Sequence, residues 1–155
     1  MRKHIAFSLL TLTFAAAGLV LATEHEDLPA GPIRDRHELM EGIGDNAEII
    51  GKAVKSGNLE PVAGAAEKIH ASAAKALPLF PKGSTDPKSR AKPEIWEHWD
   101  KFEKLTKELE AKSAELAAAA KSDGDVGAAA KAMFGACKSC HDDFRKPEEK
   151  GAKKS

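Results

Sequence analysis

Apolar residues recur at every third or fourth position along most of this 155-residue chain, which is the spacing of one face of an α-helix. No stretch shows the period-two alternation that is typical of a β-strand. The periodic stretches are separated by short polar or Gly/Pro-containing connections, except for one proline-rich loop at 78–92. The predicted helices span about 33–55, 58–77, 93–121 and 126–146. The pattern therefore predicts an all-α protein with an antiparallel four-helix bundle.

The inward faces of the predicted helices are unusually rich in small side chains. The first face runs through Ile33, Met40, Ile43, Ala47, Ile50 and Val54. The second helix is predicted to start at an Asn58 N-cap, with Leu59 as its first inward-facing residue. Aromatic residues make up only 5% of the chain, and tyrosine is absent. Because facing alanines leave space between helices, the interior is expected to hold something bulky besides protein side chains.

Residues 1–22 have the features of a secretory signal peptide. Arg2 and Lys3 precede an apolar run that ends at Leu21, and Val20 and Ala22 are small residues at the usual cleavage positions. Cleavage after Ala22 is predicted, and an uncleaved membrane anchor is the alternative. The prediction divides the chain into the signal peptide 1–22, a bundle domain 23–147 and a flexible tail 148–155.

Charge and motif content narrow the class of protein. Lys plus Arg and Asp plus Glu number 24 each, so there is no excess of basic residues to indicate a nucleic-acid partner. The sequence shows no carboxylate pair, nucleophile–base set or phosphate-binding loop. The chain is therefore not predicted to be an enzyme.

The chain has two cysteines, and both lie in the segment CKSCHDDFR at 137–145. A structural zinc site needs four ligands, and Cys137, Cys140 and His141 supply at most three. A thioredoxin-type dithiol lies at a helix N-terminus, whereas these cysteines lie late in a predicted helix. C-x-x-C-H is the attachment signature of haem c. The motif favours one covalent haem held by both cysteines with His141 below its iron, and two core cysteines beside a core histidine remain the alternative.

With this motif at the end of its last helix, the chain resembles the class II c-type cytochromes, which comprise cytochrome c′ and low-spin relatives of the c-556 type. The segments RHELM (36–40), LFPKGS (79–84) and AKPEIWEHWDKF (91–102) also match that family. The resemblance implies a bundle with one haem c, exported to the periplasm and often dimeric. It further implies redox partner proteins and no lasting membrane insertion.

The resemblance places residue 40 across the iron from His141, so Met40 is expected to decide the function. A methionine ligand closes the iron and suits electron transfer. The expectation is a single-electron carrier with His141 and Met40 as iron ligands. The alternative is a five-coordinate, cytochrome c′-like binder of nitric oxide or carbon monoxide, in which Met40 only packs.

Arg36 is a charged residue on the inward face of the first predicted helix. A buried charge without a partner is costly. The resemblance implies that Arg36 contacts a haem propionate, and a surface arginine is the alternative.

Overall fold

The computed structural model describes Leu28, residues 30–122 and residues 124–147. The predicted signal peptide 1–22 and tail 148–155 lie outside these described residues. The described part is helical, with a single isolated β-bridge between Ala91 and Arg145. Its helices are α1 (Pro32–Ser56), α2 (Val62–Ala73), α3 (Glu94–Glu97), α4 (Trp99–Ala120) and α5 (Val126–Phe144), with a 3₁₀ turn at Leu77–Leu79. None of the described helices combines the length and the apolar character that crossing a bilayer requires.

Four of these helices form the bundle, and α3 is a single turn that leads into α4. Helix α2 packs against α1 and α4, and α5 packs against α4 and α1. The predicted all-α four-helix bundle is confirmed. The predicted extent of the domain, 23–147, stays a prediction.

Local sequence explains where α1 and α5 begin and end. Gly31, with φ 105°, precedes Pro32 at the start of α1, and Gly57 ends α1 in the left-handed conformation with φ 76°. The Asp125 side chain accepts a hydrogen bond from Ala128 N at 2.9 Å and so caps α5. Both helices match the predicted ranges to within a few residues.

Two expectations for the middle of the chain are wrong. Helix α2 starts at Val62 behind Pro61, so Asn58 is not its N-cap, and Leu59 is 40% exposed instead of facing inward. The third predicted helix is interrupted at His98, which takes the non-helical angles φ −122° and ψ 46°. Before that break, Trp96 donates its indole N–H to Phe80 O at 3.1 Å.

The interior contains two apolar clusters. The central cluster fills the bundle between all four long helices, and its largest fully buried members are Ile50, Val62, Ile69, Leu116 and Met133. The aromatic cluster comprises Phe80, Ile95, Phe102 and Phe144. The Phe102 ring centroid lies 4.7 Å from that of Phe80 and 5.5 Å from that of Phe144. Aromatic packing is thus concentrated at the α5 C-terminal end.

Arg36 connects α1 to the long loop at 78–92 through hydrogen bonds. It is only 3% exposed, so the surface alternative for this residue is wrong. Its guanidinium donates to Ser84 Oγ and Ser84 O, both at 2.8 Å, and to Ser89 Oγ at 3.0 Å. It also lies 5.1 Å from the centre of the Phe80 ring. Burial lowers the Arg36 pKa, and Asp86 opposes that shift.

Substitutions at two adjacent isoleucines of α1 test the packing of the central cluster. Ile50 is completely buried, whereas Ile49 is 42% exposed. Ile50→Ala should lower the free energy of unfolding by about 2–5 kcal/mol, because it leaves a cavity in the central cluster. Ile49→Ala is the matched control and should change it by about 0.5 kcal/mol or less. Urea unfolding of the two variants measures the difference, and equal losses would contradict the packing described.

Replacing Arg36 tests its hold on the loop. Arg36→Met should lower the free energy of unfolding by about 1.5–3 kcal/mol, because charged hydrogen bonds to two serines are lost. Lys52→Met is the control, since Lys52 makes only an exposed pair with Glu48 on the same helix. The measurement is again urea unfolding, and a loss no larger than that of the control would contradict the role of Arg36.

Candidate functional site

A cavity of about 240 Å³ lies between α1, α4, α5 and the loop that precedes α3. Its α1 wall is formed by Ile33, Arg36, His37, Met40, Ile43, Gly44 and Ala47. Its α5 wall is formed by Phe134, Cys137, Cys140, His141 and Phe144. Most of these side chains are apolar. The expectation that small residues leave space inside the bundle is therefore confirmed by a cavity at the end where the cysteines lie.

The cavity brings together all five residues that the sequence singled out. Cys137, Cys140 and His141 line it from α5, and Met40 and Arg36 line it from α1. The two thiols are free, half-buried and one helical turn apart. A planar macrocycle could therefore be held along one edge by both sulfurs.

The environment of the thiols argues against a reactive dithiol. Burial raises the pKa of Cys137. Burial, followed by the charges of Cys137 and Asp143, raises the pKa of Cys140 to about 11. Reactive and metal-binding cysteines instead have lowered pKa values. Within the described part of the chain, no three His, Cys, Asp or Glu side chains are grouped to hold a metal ion.

His141 is held in the form that can bind a metal. Desolvation is the main cause that lowers its pKa, and the positive charges of Arg145 and Arg90 add to this effect. Asp142 opposes the shift. The lowered pKa favours the neutral imidazole, which is the form that coordinates iron.

Met40 packs between the two apolar clusters, so it has a structural role whether or not it touches a metal. It is half-buried and contacts members of both the central and the aromatic cluster. Arg36 already holds the loop through Ser84 and Ser89. Its expected contact with a propionate stays a prediction.

The residues present fit a haem. Two thiols one turn apart and the adjacent neutral imidazole lie against an apolar cavity next to the aromatic cluster, as a porphyrin attached through C-x-x-C-H requires. Sequence reasoning did not identify three further lining residues, Leu28, Arg90 and Ala91. They lie before α1 and in the long loop, where no periodic pattern indicates the direction of a side chain.

The chain matches known proteins along most of its length. The family model described as cytochrome C′ matches residues 31–145. A cytochrome c′ of Rhodospirillum rubrum is 32% identical over 123 residues, which cover 76% of this chain and 83% of that protein.

Solved structures give the same result. A cytochrome c′ from Shewanella frigidimarina superposes with a TM-score of 0.71 at 25% identity, covering 78% of this chain and 98% of that chain. Another cytochrome c′, described as having an unusual ligand-controlled dimer dissociation, has a TM-score of 0.68 at 28% identity. That match covers 75% of this chain and 95% of the other.

These comparisons overturn the predicted electron carrier. The predicted carrier, with a low-spin haem that has Met40 as a second iron ligand beside His141, is wrong, because the family model and the relatives that match are cytochromes c′ and not their low-spin relatives of the c-556 type. A buried methionine on an inward face satisfies the sequence pattern equally well as packing, which is the role its contacts with both clusters describe. The family model spans all five helices and the C-x-x-C-H motif, so this chain belongs to the cytochrome c′ family and carries one haem c bound through Cys137 and Cys140.

Proposed function

We propose that this protein binds a small neutral gas, nitric oxide or carbon monoxide, at a haem iron that has one open coordination position. The observation that carries the proposal is the apolar stretch within the α1 wall of the cavity. Met40, Ile43 and Ala47 line that wall, and Met40 is already packed against both clusters. A neutral diatomic gas needs no charged or hydrogen-bonding partner in such a wall.

Three residues of α5 hold the cofactor in this proposal. Cys137 and Cys140 fix one edge of the porphyrin to the helix, and His141 binds the iron through its neutral imidazole. When bound, the haem would supply an iron that can take up the gas, with His141 as its protein ligand. Because all three residues lie within two turns of one helix, the position of the iron follows α5.

The α1 residues control the other face. Met40 restricts access to the iron by its bulk, while Ile43 and Ala47 keep the neighbouring part of the wall apolar. Arg36 lines the same cavity from α1 and is proposed to contact a propionate with its guanidinium, as the family resemblance implies.

The proposed role is binding and not turnover. Cytochromes c′ are in general haem-binding proteins and not enzymes. The related proteins are periplasmic c-type cytochromes of bacteria. We propose that residues 1–22 direct this chain to the periplasm and are removed there.

We also propose that the protein forms a homodimer. The family that the sequence resembles is often dimeric, and one of the matched relatives is described by its ligand-controlled dimer dissociation. Analytical ultracentrifugation of the haem-loaded protein should give a mass of two chains. A mass of one chain at all protein concentrations tested would contradict the dimer.

Carbon monoxide titration tests the open iron position. The reduced protein should show a broad, high-spin absorption spectrum that changes on addition of the gas. Met40→Ala should speed carbon monoxide association by about tenfold, because the gas no longer displaces a packed side chain.

Met40→Leu is the matched control, because leucine keeps the bulk of methionine but has no sulfur. Its spectrum and association rate should resemble those of the unmodified protein. A sharp low-spin spectrum that carbon monoxide leaves unchanged in the unmodified protein, and that changes in both variants, would contradict the proposal.

A further inference from the structure

The C-terminal turn of α5 is capped from outside the helix. The last four carbonyl groups of a helix lack partners within it. In α5 these groups belong to residues 141–144. The carbonyl of His141 accepts a hydrogen bond from Arg145 N at 3.1 Å.

Lys92 supplies partners for the other three carbonyls. Its ammonium group donates to Asp142 O at 3.1 Å and to Asp143 O at 3.0 Å. Its backbone N–H donates to Phe144 O at 3.0 Å. A cation at this end of a helix also interacts favourably with the helix dipole. One residue, distant in sequence, therefore completes the hydrogen bonding of the turn that contains His141.

The neighbouring carboxylates do not account for the position of Lys92. The Asp143 carboxylate pairs with Lys101 at 3.0 Å, and the Asp142 carboxylate pairs with Lys138 on α5 itself. Lys92 instead contacts the main-chain oxygens of these residues. Its role is therefore that of a helix cap.

Two sets of hydrogen bonds hold the loop segment that leads to Lys92. We name residues 84–92 the strap. At one end, Arg36 of α1 binds Ser84 and Ser89. At the other, Arg90 O accepts from Lys146 N at 2.7 Å, and Arg90 Nη2 donates to Lys146 O at 3.0 Å. The strap thus joins the α1 wall of the cavity to the end of α5.

We propose that Lys92 is a positioning residue for His141: by capping the last turn of α5 it fixes the orientation of the imidazole on the haem iron. This inference rests on one part of the proposed function, namely that His141 binds the haem iron. Without the cap, the last turn frays and the imidazole ring turns relative to the helix. With the cap in place, the strap links the position of α1 to the orientation of the iron-binding histidine.

The test uses the full-length, haem-loaded protein and three variants. Lys92→Met removes the ammonium group, and Lys92→Arg keeps a cationic donor. Lys82→Met is the matched control, since Lys82 is an exposed lysine of the same loop outside the strap. Two quantities are measured by NMR: the hyperfine-shifted ring-proton signals of the iron-bound histidine in the oxidised protein, and the amide exchange rate of Arg145. The ring-proton signals report ring orientation whether the iron has five or six ligands.

Lys92→Met should shift the ring-proton signals and speed exchange of the Arg145 amide by about two- to fivefold, as expected for the loss of a charged cap. In Lys92→Arg the ring-proton signals and the Arg145 exchange rate should stay close to those of the unmodified protein. Lys82→Met should change neither quantity. If Lys92→Met is not recovered with haem, Lys92→Gln provides the same comparison with a shorter, neutral donor.

Unchanged ring-proton signals in Lys92→Met or Lys92→Gln would overturn the inference even if exchange is faster, because the cap would then be structural only. The carbon monoxide titration decides the proposed function separately. A protein that ignores carbon monoxide but shows the Lys92 effect refutes gas binding and keeps the positioning role. A protein that binds the gas but shows no Lys92 effect keeps the proposed gas binding and refutes the positioning role of Lys92.

Discussion

The space between α1 and α5 cannot be filled by the side chains that face it. A Cβ added at Gly44 on α1 would meet no atom within 4 Å, and large apolar lining residues such as Phe102 and Phe144 pack in the aromatic cluster at the margin of the space. A cavity in a close-packed interior forfeits dispersion contacts. Covalent attachment of a porphyrin through Cys137 and Cys140 resolves this, since it fills the space with an apolar macrocycle that cannot dissociate. The fold and its cofactor therefore depend on each other.

Polar contacts are concentrated around the margin of the same cavity. Arg36 is buried with its charge distributed over serine oxygens and an aromatic face, and the strap carries this connection to the end of α5. Hydrogen bonds of this kind fix geometry more than they add stability, because each replaces a bond to water. Their arrangement fixes the α1 wall of the cavity relative to the end of α5.

The sequence predicted the elements whose signals are local. The limits of α1 follow from Pro32 and Gly57, and the attachment of haem follows from the spacing of two cysteines and a histidine. The break at His98 and the exposure of Leu59 were missed, because apolar spacing alone does not show where a helix starts or stops.

Contacts between residues distant in sequence could not be predicted from the apolar spacing either. The partners of Arg36 and of the last carbonyls of α5 lie in the loop, whose path depends on packing that no local signal records. Met40 illustrates a different limit. A buried methionine that packs and one that binds iron occupy the same position on the same helical face, so burial did not distinguish the two functions. The match to cytochromes c′, and not to their low-spin relatives, is what removed the predicted electron carrier.

The central claim is that the iron has one protein ligand and one open position. X-ray absorption at the iron edge of the reduced, gas-free protein measures this most directly, because sulfur scatters differently from nitrogen. We expect the iron to have nitrogen neighbours only, from the porphyrin and the His141 imidazole. A sulfur neighbour would place Met40 on the iron and contradict it.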